Sequence, residues 1–116
     1  MYQSDCIFCR IIKGESPSTI VYQDNQVVAF LDIHPVAPIH ILIVPRKHIA
    51  STNEIDTMDE ALIGHMFTTA KILAAENGIA KTGYRLIINT GPDARQVVFH
   101  IHLHLLGGGQ MRYPMG

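Results

Sequence analysis

The sequence predicts one α+β domain, an antiparallel sheet of about five strands carrying one short and one long helix. Three observations lead there. Residues 98–106 alternate, with His100, His102 and His104 on one side and Ile101, Leu103 and Leu105 on the other, the two-residue period of a half-buried strand. Residues 57–78 carry apolar side chains at helical spacing instead. Elsewhere, short apolar runs are bounded by proline, glycine and polar turn residues, as strands are. A chain of 116 residues with 47% hydrophobic content buries one ordinary core, so residues 1–116 are read as a single domain.

The elements follow in order. Residues 5–13 read as a short helix, with Ser4 or Asp5 as N-cap and Gly14 as its stop. Pro17 begins an extended region in which the runs 20–22 and 27–31 form two strands about the polar turn Gln23-Asp24-Asn25-Gln26. Residues 40–44 give another strand, ended by Pro45. The long helix starts near Thr57, where Thr57-x-x-Glu60 has capping-box spacing, and ends at Gly78. Its buried stripe is Leu62, Met66, Phe67, Ala70, Leu73 and Ala74. Residues 84–89 and 98–106 complete the strands, joined by the turn-rich loop Thr90-Gly91-Pro92-Asp93-Ala94.

Composition narrows the function. A net charge of −1 with no basic stripe argues against extended nucleic-acid binding, while leaving a mononucleotide within reach. No apolar run approaches the roughly 20 residues that cross a bilayer, so no membrane association is expected. The amino end, with Gln3, Ser4 and Asp5, lacks the basic-then-apolar order of a signal peptide, and a cytoplasmic location is the expectation. In that compartment Cys6 and Cys9, at Cys-x-x-Cys spacing, point to metal or redox chemistry before a structural disulfide.

The histidine row carries the chemistry. Each imidazole has two ring nitrogens that need partners, and neighbouring imidazoles disfavour one another's protonation. Three together are costly unless they bind a metal or work on an anionic substrate. A competing reading is a half-buried strand whose polar face happens to be histidine.

His100-Ile101-His102-Leu103-His104-Leu105-Leu106 resembles the signature of the histidine triad (HIT) family. Other segments agree with that family in order: Cys6 to Ile12, Phe30-Leu31-Asp32-Ile33, Ala37-Pro38-Ile39-His40, Pro45-Arg46-Lys47-His48, Asn89-Thr90-Gly91 and the tail from Gly107 to Pro114. The tail resembles the branch of purine nucleotide-binding phosphoramidases. The resemblance implies the HIT-like fold, a homodimer with the sheet continued across its two-fold axis, and a tail reaching toward the partner's site. It further implies hydrolysis of purine nucleoside 5′-phosphoramidates, such as AMP-NH2 or AMP joined to lysine, through a nucleotidyl-histidine, with AMP or GMP as the bound nucleotide and no catalytic cofactor. A second reading is a purine-nucleotide-binding interaction protein with little catalytic activity.

Residue by residue, the resemblance makes His102 the nucleophile and His104 the phosphate contact, with His100 and His40 completing the cluster. For His40 a purely structural, hydrogen-bonded histidine is the alternative. Asn89, Gln96 and the backbone N–H groups of 91–96 are candidate donors to the phosphate. Phe8, Ile11, Phe30 and Ile33 match the base slot and Asp32 the ribose acceptor; as bare residues they read equally as core and turn formers. Cys6, Cys9, His48 and His100 match a structural zinc site, against two reduced cysteines without metal. His34 and His65 have no partner legible in the sequence. One departure stands out: Arg95-Gln96-Val97 replaces the family's Gly-Gln-Ser, which removes a hydroxyl donor, while Arg95 either restores some positive charge or is simply a solvated loop residue, the reading the sequence slightly favours. The lost donor puts about a hundredfold in rate at stake.

Overall fold

The computed structural model describes residues 2–116. Helix α1 spans Ile7–Ile12 and α2 spans Glu60–Glu76; the strands are β1 Ile20–Gln23, β2 Val27–Leu31, β3 Ile39–Pro45, β4 Tyr84–Ile87 and β5 Leu103–Gly107. All pair antiparallel in one sheet of order β1-β2-β3-β5-β4. The predicted strand count and the two helices are therefore found. No helix among the described residues is long and apolar enough to cross a membrane.

The sheet buries both faces. On one, Val27, Ala29, Ile41, Ile43, Leu103 and Leu105 pack against Met66, Ala70, Leu73 and Ala74 of α2. The other carries Val28, Phe30, Leu42 and Val44 beneath Phe8, Cys9 and Ile11 of α1. Alternation along each strand thus sends odd and even residues to different helices. Gly107 ends β5 where a side chain has no room, since a Cβ there would stand 2.5 Å from Ile79 Cδ1.

Local chemistry moves several predicted boundaries. The N-cap of α1 is Cys6, whose sulfur accepts from the Cys9 N–H at 3.3 Å, rather than Ser4 or Asp5. The helix stops as predicted beside Gly14, which adopts φ +81°. Asp24 closes the β1–β2 turn by accepting from the N–H groups of Gln26 and Val27, both at 2.8 Å. The capping box before α2 pairs Asp56 with Asp59 across a 3₁₀ turn, Thr57–Asp59, so the helix begins at Glu60 and not at Thr57. Phe67 leaves the predicted stripe: it is 41% exposed, one turn before the exposed Lys71, and Thr69 takes a buried place instead.

The largest departure concerns the histidine segment. Only His104 lies within β5, and His100 and His102 sit on an extended lead-in. The ladder runs out there for a physical reason. Pairing with β3 begins at Ile43 opposite Leu103, β4 reaches only Ile87 opposite His104, and the Ile101 N–H turns away to the Ile49 carbonyl at 2.7 Å. Strand β4 likewise stops at Ile87, two residues short of the predicted end.

Candidate active site

The three imidazoles keep to the α1 side of the sheet but divide between two clusters. His102 and His104, 5.0 Å apart between ring centroids, line an open cavity of about 630 Å³ together with His40. His100 does not line it. Its ring is fully buried among Cys6, Cys9 and His48, so the predicted catalytic role of its side chain is corrected to a place in this second cluster.

Hydrogen bonds assign the protons in the cavity. His102 Nδ1 lies 2.8 Å from the His100 carbonyl and must donate to it, which leaves Nε2 as the nitrogen with the lone pair. His40 Nδ1 accepts from the Val36 N–H at 3.1 Å, so its proton is on Nε2. That proton is given to His104 Nδ1 at 2.9 Å, which in turn puts the His104 proton on Nε2. His104 Nε2 is buried and has no hydrogen-bond partner among the described residues. An unpaired buried donor costs about 1–3 kcal/mol, so this N–H is held ready for a ligand. Burial, reinforced by His102 and His40, pushes the His104 pKa down to about 4. Burial also lowers His102 and His40, the latter against the pull of Asp32. All three are neutral at pH 7.

The wall of the cavity toward β2 is apolar. Phe8, Ile11 and Phe30 form it, with the 80% exposed Ile33 at the rim and Phe8 edge-on to His102 at 5.0 Å. Asp32 stands at the same side, its Oδ1 accepting from the His34 N–H at 2.8 Å and its Oδ2 3.3 Å from His40 Nε2. Asp32, His40 and His104 are close enough to suggest a second metal site. The tautomers argue for a hydrogen-bonded relay instead, because His40 Nε2 already carries a proton. On the flank toward β4 are Asn89, Arg95 and Val97. Gln96 is not on the wall: its amide donates to the carbonyls of Ala50 (2.8 Å) and Val98 (3.1 Å) and its oxygen accepts from the Gly91 N–H (2.9 Å). Predicted as a phosphate donor, Gln96 instead clamps its own loop.

The second cluster gathers four donors. Cys6 Sγ and Cys9 Sγ lie 3.4 and 3.6 Å from His100 Nδ1, Cys9 Sγ is 3.4 Å from His48 Nδ1, and the two Nδ1 atoms are 3.2 Å apart. Tetrahedral zinc with sulfur and nitrogen ligands sets such atoms about 3.3–3.8 Å apart. His100 Nε2 donates to the Pro45 carbonyl at 2.8 Å, which turns the Nδ1 lone pair inward as a metal ligand requires. Burial lowers the pKa of His48 and His100 and raises that of the Cys6 thiol. The residues fit the metal.

Residues 13–111 match the HIT domain. The chain belongs to the HIT family. Among curated relatives of this HIT protein, the purine nucleoside phosphoramidase of Escherichia coli K12 is 51% identical over 104 residues, covering 90% of this chain and 87% of its own. An uncharacterized HIT-like protein of Synechococcus elongatus is 46% identical over 112 residues, 97% of each chain. Among solved structures, a HIT family hydrolase from Legionella pneumophila superposes with TM-score 0.93 at 47% identity, covering 97% of this chain and 100% of that one. A histidine triad protein from Clostridium difficile gives 0.95 at 43% identity over 99% and 100% of the two chains.

In this HIT domain the structure brings His40, His102 and His104 together in the cavity and Cys6, Cys9, His48 and His100 in the second cluster, and it identifies the backbone groups that the sequence leaves unnamed. Val36 N–H and the carbonyls of Pro45 and His100 set the tautomers, and no residue type announces such a role.

Proposed function

We propose that this HIT protein hydrolyses purine nucleoside 5′-phosphoramidates through a nucleotidyl-His102 intermediate. One observation carries the reading: the cavity holds a neutral imidazole with its lone pair free on Nε2 beside a second imidazole whose buried Nε2–H has no partner. A phosphoryl group answers both, as electrophile for the first and hydrogen-bond acceptor for the second. The base would lie in the slot of Phe8, Ile11, Phe30 and Ile33, with ribose hydroxyls at Asp32 and Asn89 near the phosphate.

The chemistry then has two steps. The His102 Nε2 lone pair bonds to phosphorus while the P–N bond of the substrate breaks and the departing nitrogen takes up a proton from solvent to leave as an amine, a proton that the attacking water returns to solvent in the second step. Water next attacks the same phosphorus, the P–Nε2 bond breaks, and the nucleoside monophosphate leaves with His102 restored. One water is consumed overall. His104 Nε2–H donates to a phosphoryl oxygen throughout, and the relay from Val36 through His40 keeps its proton there.

Zinc held by Cys6, Cys9, His48 and His100 would supply a structural cross-link between α1, the loop after β3 and the start of the histidine segment. A homodimer joined along β4 belongs to the same reading. Strand β4 is a sheet edge, and Arg85 on it donates to the Tyr113 carbonyl at 2.8 Å, laying the tail beside that edge. The function is tested by turnover of adenosine 5′-phosphoramidate: the wild-type protein should release AMP, and His102→Ala should not, while still binding AMP within a few-fold. Comparable turnover by both would refute it.

A further inference from the structure

Arg95 is the one residue other than glycine with positive φ among the described residues, at +65°. An L-residue rarely adopts that left-handed conformation, and where one does in a functional loop the backbone has been held there by its surroundings. Those surroundings are visible. The Arg95 N–H donates to the Pro92 carbonyl at 2.9 Å and the Gln96 N–H to the Gly91 carbonyl at 3.0 Å, while the Gln96 side chain ties the loop to Ala50 and Val98.

The loop delivers a charge to the cavity. Arg95 is the sole lysine or arginine on its wall, and no hydrogen bond or ion pair engages the guanidinium among the described residues. The one carboxylate on the wall is Asp32, toward β2, and it faces Arg95, toward β4, across the cavity. Sheet order gives these positions meaning. The apolar slot is built from α1, β2 and the residues just after β2, the reacting histidine precedes β5, and the Arg95 loop joins β4 to β5 on the far flank. With a base in that slot and phosphorus at His102, the Arg95 flank is the part of the wall left for a leaving group.

We propose that Arg95 selects substrates whose leaving group carries an anion, such as an amino acid joined to AMP through nitrogen with its carboxylate free. This rests on the phosphoramidase reading and adds a substrate class to it. A planar guanidinium binds a carboxylate through paired N–H donors, and a neutral amide of the same shape offers no such match. The absence of a hydroxyl at the 86% exposed Val97 leaves Arg95 as the strong donor on that side of the loop. Specificity here is a difference between two substrates and is read as a ratio.

The test compares the AMP conjugate of alanine with that of alaninamide, for the wild type, Arg95→Lys and Arg95→Gly. Glycine suits φ +65°, so Arg95→Gly keeps the fold, which its melting curve checks. The wild type should favour the carboxylate in kcat/KM by about tenfold or more, with the ratio falling as salt rises because the site is open to solvent. Arg95→Lys should keep part of the ratio and Arg95→Gly should bring it close to one. An equal ratio in wild type and Arg95→Gly overturns the assignment and leaves the phosphoramidase reading standing. Failure of the wild type to cleave either conjugate, or adenosine phosphoramidate itself, overturns both.

Discussion

At the scale of single residues, the proton inventory of the cavity decides what the site can do. His104 is neutral because burial, with His102 and His40 beside it, holds its pKa near 4 against the usual 6.5. The folded protein therefore binds fewer protons at this position than the unfolded chain between those two values. Its contribution to stability is complete above about pH 6.5 and is lost as pH falls toward 4. Imidazole NMR should find His104 neutral at pH 6 with its proton on Nε2; a midpoint near 6.5 would contradict the assignment. His104→Ala should slow turnover about a hundredfold without abolishing it, the loss expected of an electrostatic donor. The histidine alternation was legible in the sequence, as were His40 and Asp32 through the family resemblance. The division of the row was not, because it depends on where two neighbouring strands stop pairing.

At the scale of elements, α1 is too short to hold itself in place. Its six residues cannot sustain an isolated helix, so tertiary contacts fix it, and Cys6 and Cys9 supply them at the end that also carries Phe8. Because Phe8 walls the cavity and lies edge-on to His102, the thiol and imidazole cluster positions part of the cavity wall. Protein purified without added metal or an affinity tag should contain about one zinc per chain. Chelation should lower Tm by about 5 °C or more and raise KM more than it lowers kcat. Metal content near zero with an unchanged Tm would favour two reduced thiols. Helix α2 teaches a different lesson about reading sequence. Its stripe of Met66, Ala70, Leu73 and Ala74 follows from spacing, but the capping box falls on Asp56 and Asp59 of the 3₁₀ turn ahead of it, one residue before the Thr57 spacing that the sequence suggests.

At the scale of the whole molecule, the sheet order places the apolar wall of α1 and β2, His102 and the Arg95 loop in sequence across one face. The opposite face belongs to α2, so the cavity and the larger core lie on the two sides of one sheet. The sheet ends in two edge strands, β1 and β4, and Arg85 lays the tail beside the second of them. Light scattering at micromolar concentration should report a dimer, and removal of residues 110–116 should change substrate preference while leaving the dimer largely assembled; a monomer would defeat the arrangement. Strand count and helix number were readable from periodicity and turn residues, whereas which strand becomes the edge is set by pairings between distant segments. The central claim is that His102 becomes covalently nucleotidylated. Intact-mass measurement, after mixing with adenosine phosphoramidate and quenching under conditions that preserve phosphoryl-histidine, tests it most directly. A transient adduct of one adenylyl group is expected on the wild type and none on His102→Ala; an adduct that persists in His102→Ala, or turnover by that variant at the wild-type rate, would rule out His102 as the nucleophile.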